Sequence, residues 1–123
     1  MLNQQSAALD DAFRALADPT RRAIVARLAG GRASVSDLAA PLPMSLAAVH
    51  QHLQLLARSG LISWEKHGRV RWCRLESRRL RAVEEWILGR RVAWERRLDA
   101  LGAHLDGEKR REAKTHERSK RHP

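Results

Sequence analysis

The sequence has no Tyr, one Phe, one Cys and only 4 Pro in 123 residues. β-Branched aliphatics are also thin, with 3 Ile and 6 Val against 19 Ala and 17 Leu. Strands draw on β-branched and aromatic side chains, whereas Ala and Leu are strong helix formers. An all-β fold is therefore excluded, and helices are expected to carry most of the chain. The lone Cys73 rules out an internal disulfide and any zinc site built on four cysteines, and it fits a reducing cytoplasm. Gln4, Gln5, Asp10 and Asp11 interrupt the start, so no signal peptide is expected. The stretch Leu38 to Ala57 lacks Asp, Glu, Lys and Arg, but Pro41, Pro43, His50, Gln51, His52 and Gln54 lie inside it. No membrane span is expected there.

What is present is positive charge. Lys and Arg number 24 against 14 Asp and Glu, a net charge of +10, and 20 of the 24 cations are Arg. The planar guanidinium fork suits phosphates and guanine edges, so a polyanion, nucleic acid above all, is the expected partner. A solvated basic surface is the plainer account of the same count.

Leu9, Phe13 and Leu16 recur at helical spacing, predicting a short amphipathic helix over 7–17. Asp18-Pro19 restarts the chain as a capped helix that buries Ile24, Val25 and Leu28 and stops at Gly30-Gly31. Ser34 and Asp37 have capping-box spacing and open a short helix through Ala40, ended by Pro41 and Pro43. Ser45 caps a helix reaching Ser59, closed by a left-handed Gly60. Leu46, Val49, Leu53 and Leu56 form its apolar stripe, and Ala47, His50, Gln51, Gln54 and Arg58 lie opposite. That outer face is short-chained, uncharged until Arg58 and rich in groups that donate and accept hydrogen bonds.

Residues 61–75 read as two strands around a turn at His67-Gly68-Arg69, with Trp64 and Trp72 expected to pair across the hairpin. Ser77 caps a long helix over 78–105, whose stripe includes Leu80, Val83, Ile87, Trp94, Leu98, Leu101 and Leu105, with Trp86 beside it. This is more apolar surface than a small core needs, and dimerisation is its natural outlet. Residues 107–123 hold seven cations and three anions with nothing apolar beyond alanine, and are expected to be a disordered basic tail. The fold class expected is mainly α with a small β-hairpin. It is a winged helix-turn-helix domain over 1–106, with N- and C-terminal dimerisation helices.

In that arrangement helix 45–59 enters the major groove of double-stranded DNA. Ser45 and Ala47 permit close approach, while His50 and Gln51 are the expected base readers. Gln54 and Arg58 are the expected backbone contacts, and the wing, with Arg69 at its tip and Arg71 behind it, is expected to reach phosphates or the minor groove. No glycine-rich phosphate loop or nucleophile elbow argues for an enzyme, and no cofactor is expected. A non-specific basic nucleic-acid-binding protein is the rival class.

The runs Phe13-Arg-Ala-Leu-Ala-Asp-Pro-Thr-Arg-Arg22, Met44-Ser-Leu-Ala-Ala-Val-His-Gln-His-Leu53, Ser59-Gly-Leu61 and Gly68-Arg-Val-Arg-Trp-Cys-Arg-Leu75 closely resemble the ArsR-type winged-helix transcriptional regulators over about residues 7–105. The resemblance implies a homodimeric cytoplasmic repressor on an operator of imperfect two-fold symmetry. It also implies a dimer made by the first and last helices, here Leu9, Phe13, Trp86, Ile87, Trp94, Leu98 and Leu101. His50 departs from the serine usual in the reading helix. The family's cysteine-containing metal site falls on Ser34-Val35-Ser36-Asp37-Leu38, which has no cysteine, and the last helix offers only Asp99 and His104. The resemblance is closer to the members that sense no metal and carry paired tryptophans, here Trp86 and Trp94. No metal is expected, and a metal-responsive repressor is the alternative. Cys73 is expected to be a half-buried filler of the wing.

Overall fold

A computed structural model describes residues 4–121, and side chains over 6–117. The elements run α1 (Gln4–Leu16), α2 (Pro19–Ala29), β1 (Ala33–Ser34), α3 (Val35–Ala39), α4 (Leu46–Arg58), β2 (Ile62–His67), β3 (Val70–Leu75) and α5 (Ser77–Arg121). Residues up to Glu85 make one compact unit and residues from Trp86 a second.

The first unit is built around its capping chemistry. Asp18 accepts the Arg21 backbone N–H at 3.0 Å and starts α2, with Pro19 in its first turn. The same stretch finishes α1. Arg21 Nε donates to Ala15 O at 2.6 Å and its Nη2 to Arg14 O at 3.1 Å, while Arg22 Nη1 donates to Leu16 O at 2.9 Å. Those carbonyls have no partner inside the helix, so two guanidinium groups saturate the end that the helix dipole makes negative. Ser34 accepts from Asp37 N at 3.0 Å and opens α3.

Ser45 Oγ accepts from Ala48 N at 3.1 Å at the start of α4. At its other end Leu61 N bonds Leu56 O and Gly60 N bonds Ala57 O, the paired bonds of a Schellman motif. Gly60 has φ +80°, and a Cβ there would also meet Arg79 Nε at 2.9 Å, so any side chain is disfavoured twice.

Val49, Leu53 and Leu56 of α4 are fully buried, with Ile24 and Leu28 of α2, Leu38 of α3, Ile62 of β2 and Val83 of α5 closing the core. Leu46, expected in the same stripe, is 56% exposed because the core ends one turn below it.

The sheet has three antiparallel strands in the order β1-β3-β2. β1 was not foreseen: two residues are too short to leave a periodic signal, yet Ala33 pairs with Cys73 and Ser34 with Trp72. In the hairpin Trp64 stands opposite Cys73, and Glu65 opposite Trp72. The two tryptophans therefore lie on opposite faces, and the expected aromatic pair does not form. Side chains alternate along a strand, so a register of odd offset separates them. Each ring instead carries a guanidinium, Arg71 at 4.9 Å over Trp64 and Arg32 at 4.5 Å over Trp72. Positive φ in the turn falls only on Gly68, as in a type II′ hairpin.

α5 starts at Ser77, with Glu76 rather than Ser77 in the capping position, and Glu76 O accepts Leu80 N. The helix does not stop near 105. Residues 107–121, read from the sequence as a disordered tail, continue it, and His122 and Pro123 lie outside the described residues. Lys, Arg, Glu and Ala propagate a helix even where nothing packs against it, and one Gly, Gly107, costs only about 1 kcal/mol. The i,i+4 pair His104–Glu108 spans the junction at 3.0 Å.

Candidate nucleic-acid interface

α4 presents its polar face as the sequence pattern implies. With Val49, Leu53 and Leu56 buried, Ala47, Gln51, Gln54 and Arg58 are left along the opposite side. Ser45 is exposed at the start, its Oγ lone pair used in the cap and its O–H left to donate outward. His50 is half-buried on the flank of this face rather than at its centre. His52 belongs to the scaffold instead. Arg21 Nη1 lies 3.3 Å from its Nδ1, and Asp18 Oδ2 is 3.9 Å away. It ties α4 to the start of α2 and plays no part in the outer face.

Leu46 is the residue that helical periodicity misassigned. It is an exposed leucine in the first turn of α4, beside Ser45 and Ala47 and one turn before His50. An apolar side chain here suits the methyl group of thymine. The usable signal was positional: a first-turn residue just after Pro41, Pro43 and the Ser45 cap projects past the core.

In the hairpin, Arg69 sits exposed at the tip beside Gly68, and neither it nor Lys66 has an ion pair among the described residues. Arg71 is exposed but rests on Trp64. Arg74 is committed at the base, where its Nε donates to Ser63 Oγ and Glu76 Oε1, each at 3.2 Å. Ser63 donates to that same carboxylate at 2.5 Å, which holds Glu76 below its ordinary range. The wing is thus braced at its base and on both faces, with free charge only towards its tip. Cys73 is fully buried in the central strand, not half-buried, and burial pushes its thiol up.

On α1, Leu9 and Phe13 are half-buried against the core of their own unit. On α5, Trp86, Ile87, Trp94, Leu98 and Leu101 are all exposed in the single chain, Trp94 at 59%. Arg90 lies 5.1 Å over Trp86.

The donors for a metal do not fit. Among the described residues no three His, Cys, Asp or Glu side chains converge. Ser34 to Leu38 lacks a thiol, Cys73 is sealed in the sheet, and His104 is paired with Glu108. A zinc ion needs about four such donors. Nor is any described helix long and apolar enough to cross a membrane.

The chain is similar to known proteins. Residues 16–63 match the family model described as a helix-turn-helix domain. The HTH-type transcriptional regulator Rv2034 of Mycobacterium tuberculosis is 46% identical over 74 residues, which cover 60% of this chain and 69% of that protein. The transcriptional repressor SdpR of Bacillus subtilis (strain 168) is 30% identical over 80 residues, covering 65% of this chain and 89% of that one. The crystal structure of an ArsR family transcriptional regulator superimposes with a TM-score of 0.70 at 44% identity, covering 76% of this chain and 97% of that one. With the helix-turn-helix, the wing and these likenesses together, the chain belongs to the ArsR family of winged helix-turn-helix, DNA-binding transcriptional regulators.

Proposed function

We propose that this chain is a sequence-specific repressor that acts in the cytoplasm as a homodimer on an operator of two-fold symmetry. The observation that carries the proposal is the division of α4 into one face sealed in the core and one outer face, Ser45, Ala47, Gln51 and Gln54, that is uncharged until Arg58. A helix about 10–12 Å across fits the major groove only if that face bears no bulk or misplaced charge. Ser45, Ala47 and Gln51 approach the base edges, with His50 at the flank, and Gln51 suits adenine because its amide both donates and accepts. Gln54 and Arg58 meet the backbone further along, and Arg69 at the wing tip meets phosphates, with Arg71 behind it.

The dimer is supported by the apolar surface left over on α5, where Ile87, Trp94, Leu98, Leu101 and Leu105 are exposed at spacings that keep them on one stripe. Trp86 flanks this stripe, and Leu9 and Phe13 of α1 are the proposed companions. Two copies of α4 related by a two-fold axis would read half-sites about 10 bp apart, and occupancy of the promoter would exclude polymerase. The likeness to a named repressor favours repression over activation.

Selection of bound duplexes from a random DNA pool tests this directly. The expected product is one palindromic motif with half-sites one helical turn or a multiple apart. Enrichment of a single unrepeated half-site would overturn the dimeric reading. Binding that rises with falling salt but enriches no motif would make the chain a non-specific basic nucleic-acid-binding protein.

A further inference from the structure

Away from the N-terminal end of α4, an open cleft of about 280 Å³ lies between α1, α2 and the C-terminal end of α4. Its floor is apolar, made by Ala15 and Leu55, the latter 42% exposed although it is a leucine on a helix with a well-filled core. Its rim carries three guanidinium groups, those of Arg14, Arg21 and Arg58, against one carboxylate, Asp11. The rim therefore has a net charge of about +2, beside the exposed side chain of Leu55.

The three arginines are not equally free. Arg21 is held by the carbonyls of Ala15 and Arg14 and by His52, so its position is set before any ligand arrives. Arg58 has no ion pair or side-chain hydrogen bond among the described residues. Arg14 reaches Asp11 only at 3.7 Å, with the two side chains 80% and 57% exposed. Such a pair contributes little and is readily exchanged for a better acceptor. One fixed and two adjustable guanidinium groups over an apolar floor can receive a carboxylate in bidentate fashion while the rest of the ligand covers Leu55.

We propose that this cleft binds a small amphiphilic acid, a carboxylate on a compact apolar body, and is an effector site of the protein. The DNA backbone is another source of an oxyanion, but a phosphodiester brings nothing to cover Ala15 and Leu55. Ser45 and Arg58 stand at opposite ends of α4, about 20 Å apart at 1.5 Å per residue. A ligand at Arg58 therefore leaves the N-terminal half of the proposed DNA-facing surface open, and it touches the helix that carries that surface.

The test uses the full chain and the probes benzoate, octanoate, their neutral counterparts benzamide and octanol, and inorganic phosphate, with binding followed by amide chemical shifts and calorimetry. Octanoate or benzoate should bind saturably, one per chain, with shifts clustered on residues 11–15 and 55–59. The neutral counterparts should not. Arg58→Gln and Arg14→Gln should each weaken the carboxylate about tenfold, the loss of one charge-assisted hydrogen bond, with unchanged melting temperature. Arg21 is left intact because it also closes α1. Equal binding of acid and neutral counterpart, equal binding by the variants, or no saturable binding up to about 10 mM, an affinity ten times weaker than millimolar, would each overturn the proposal. Saturation by phosphate alone, with Arg14→Gln lowering the salt slope on random DNA, would assign the cleft to the nucleic-acid backbone instead. These outcomes are independent of whether an operator is found.

Discussion

Arg21 reaches from α2 to His52 of α4, its Nη1 3.3 Å from the imidazole Nδ1, while its Nε and Nη2 close the last carbonyls of α1. A guanidinium only donates, so this contact is a hydrogen bond in the tautomer whose Nδ1 accepts. One side chain thus joins the three helices on which the interface is mounted. Arg21→Ala is expected to lower unfolding free energy by about 2–3 kcal/mol, from charged hydrogen bonds lost to Ala15 O, which has no other partner among the described residues, and to Arg14 O, which keeps only the Ala17 N–H at 3.2 Å. Arg21→Lys should recover only part, because a single ammonium nitrogen lacks the three separated nitrogens with which the guanidinium reaches Ala15, Arg14 and His52 at once. Urea unfolding measures both, and a loss confined to a few tenths would show the fork to be dispensable.

Acid sensitivity follows from the other side of this junction. The Arg21 backbone N–H, and then the charge of Arg21, hold Asp18 below its ordinary value of 3.8. A depressed carboxylate stabilises the fold above its unfolded pKa, and that contribution is lost as pH falls through the folded value. Asp18→Asn keeps an acceptor but not the charge. It should be less stable than wild type at neutral pH, and the two should converge as pH falls below 3.8. Parallel urea midpoints down to about pH 2.5 would place the stabilisation elsewhere.

The proposed roles on the DNA-facing side separate by what each loss spares. Gln51→Ala should cost about 1–3 kcal/mol on the selected operator and little on random DNA. Arg69→Ala should weaken both together and reduce the salt slope by about one unit. Leu46 is expected to feel the thymine methyl: replacing thymine by uracil in the half-site should weaken wild type, and Leu46→Ala should be indifferent to that replacement. Methyl sensitivity that survives in Leu46→Ala would remove it from the bases.

Dimerisation is expected to fail when charge enters the apolar stripe of α5. Trp94→Arg or Leu98→Arg should give monomers by light scattering and a large loss of operator affinity, since each half-site then binds alone. A wild-type monomer at micromolar concentration would contradict the assembly proposed.

Cys73 is fully buried and its thiol is pushed up, so it should resist an aromatic disulfide reagent until the protein unfolds. Zinc, cadmium and arsenite near one equivalent are expected to leave operator affinity unchanged, in wild type and in Cys73→Ser alike. A loss at one equivalent, reversed by chelator, would make the chain a metal-responsive repressor.

Most of the fold was legible because its signals are local. Asp18-Pro19, Ser34 with Asp37, Ser45 and Gly60 are capping chemistries spanning a few residues. The stripe Val49, Leu53 and Leu56 states which side of α4 is buried, and so which side is left exposed. Other features depended on partners distant in sequence. Whether Trp64 meets Trp72 is decided by strand register, and β1, too short to be seen alone, exists because β3 offers it an open edge. Arg21 reads as one more cation in a basic chain until the end of α1 is brought to it. Leu46 fits the apolar period, yet periodicity cannot show where the core stops. Composition and local spacing determined α1 to α4 and their caps, the wing and the polar face of α4, but neither the cap nor the end of α5. Tertiary structure alone decided which arginines are held in the scaffold and which are free, because a guanidinium's role depends on the acceptor placed before it.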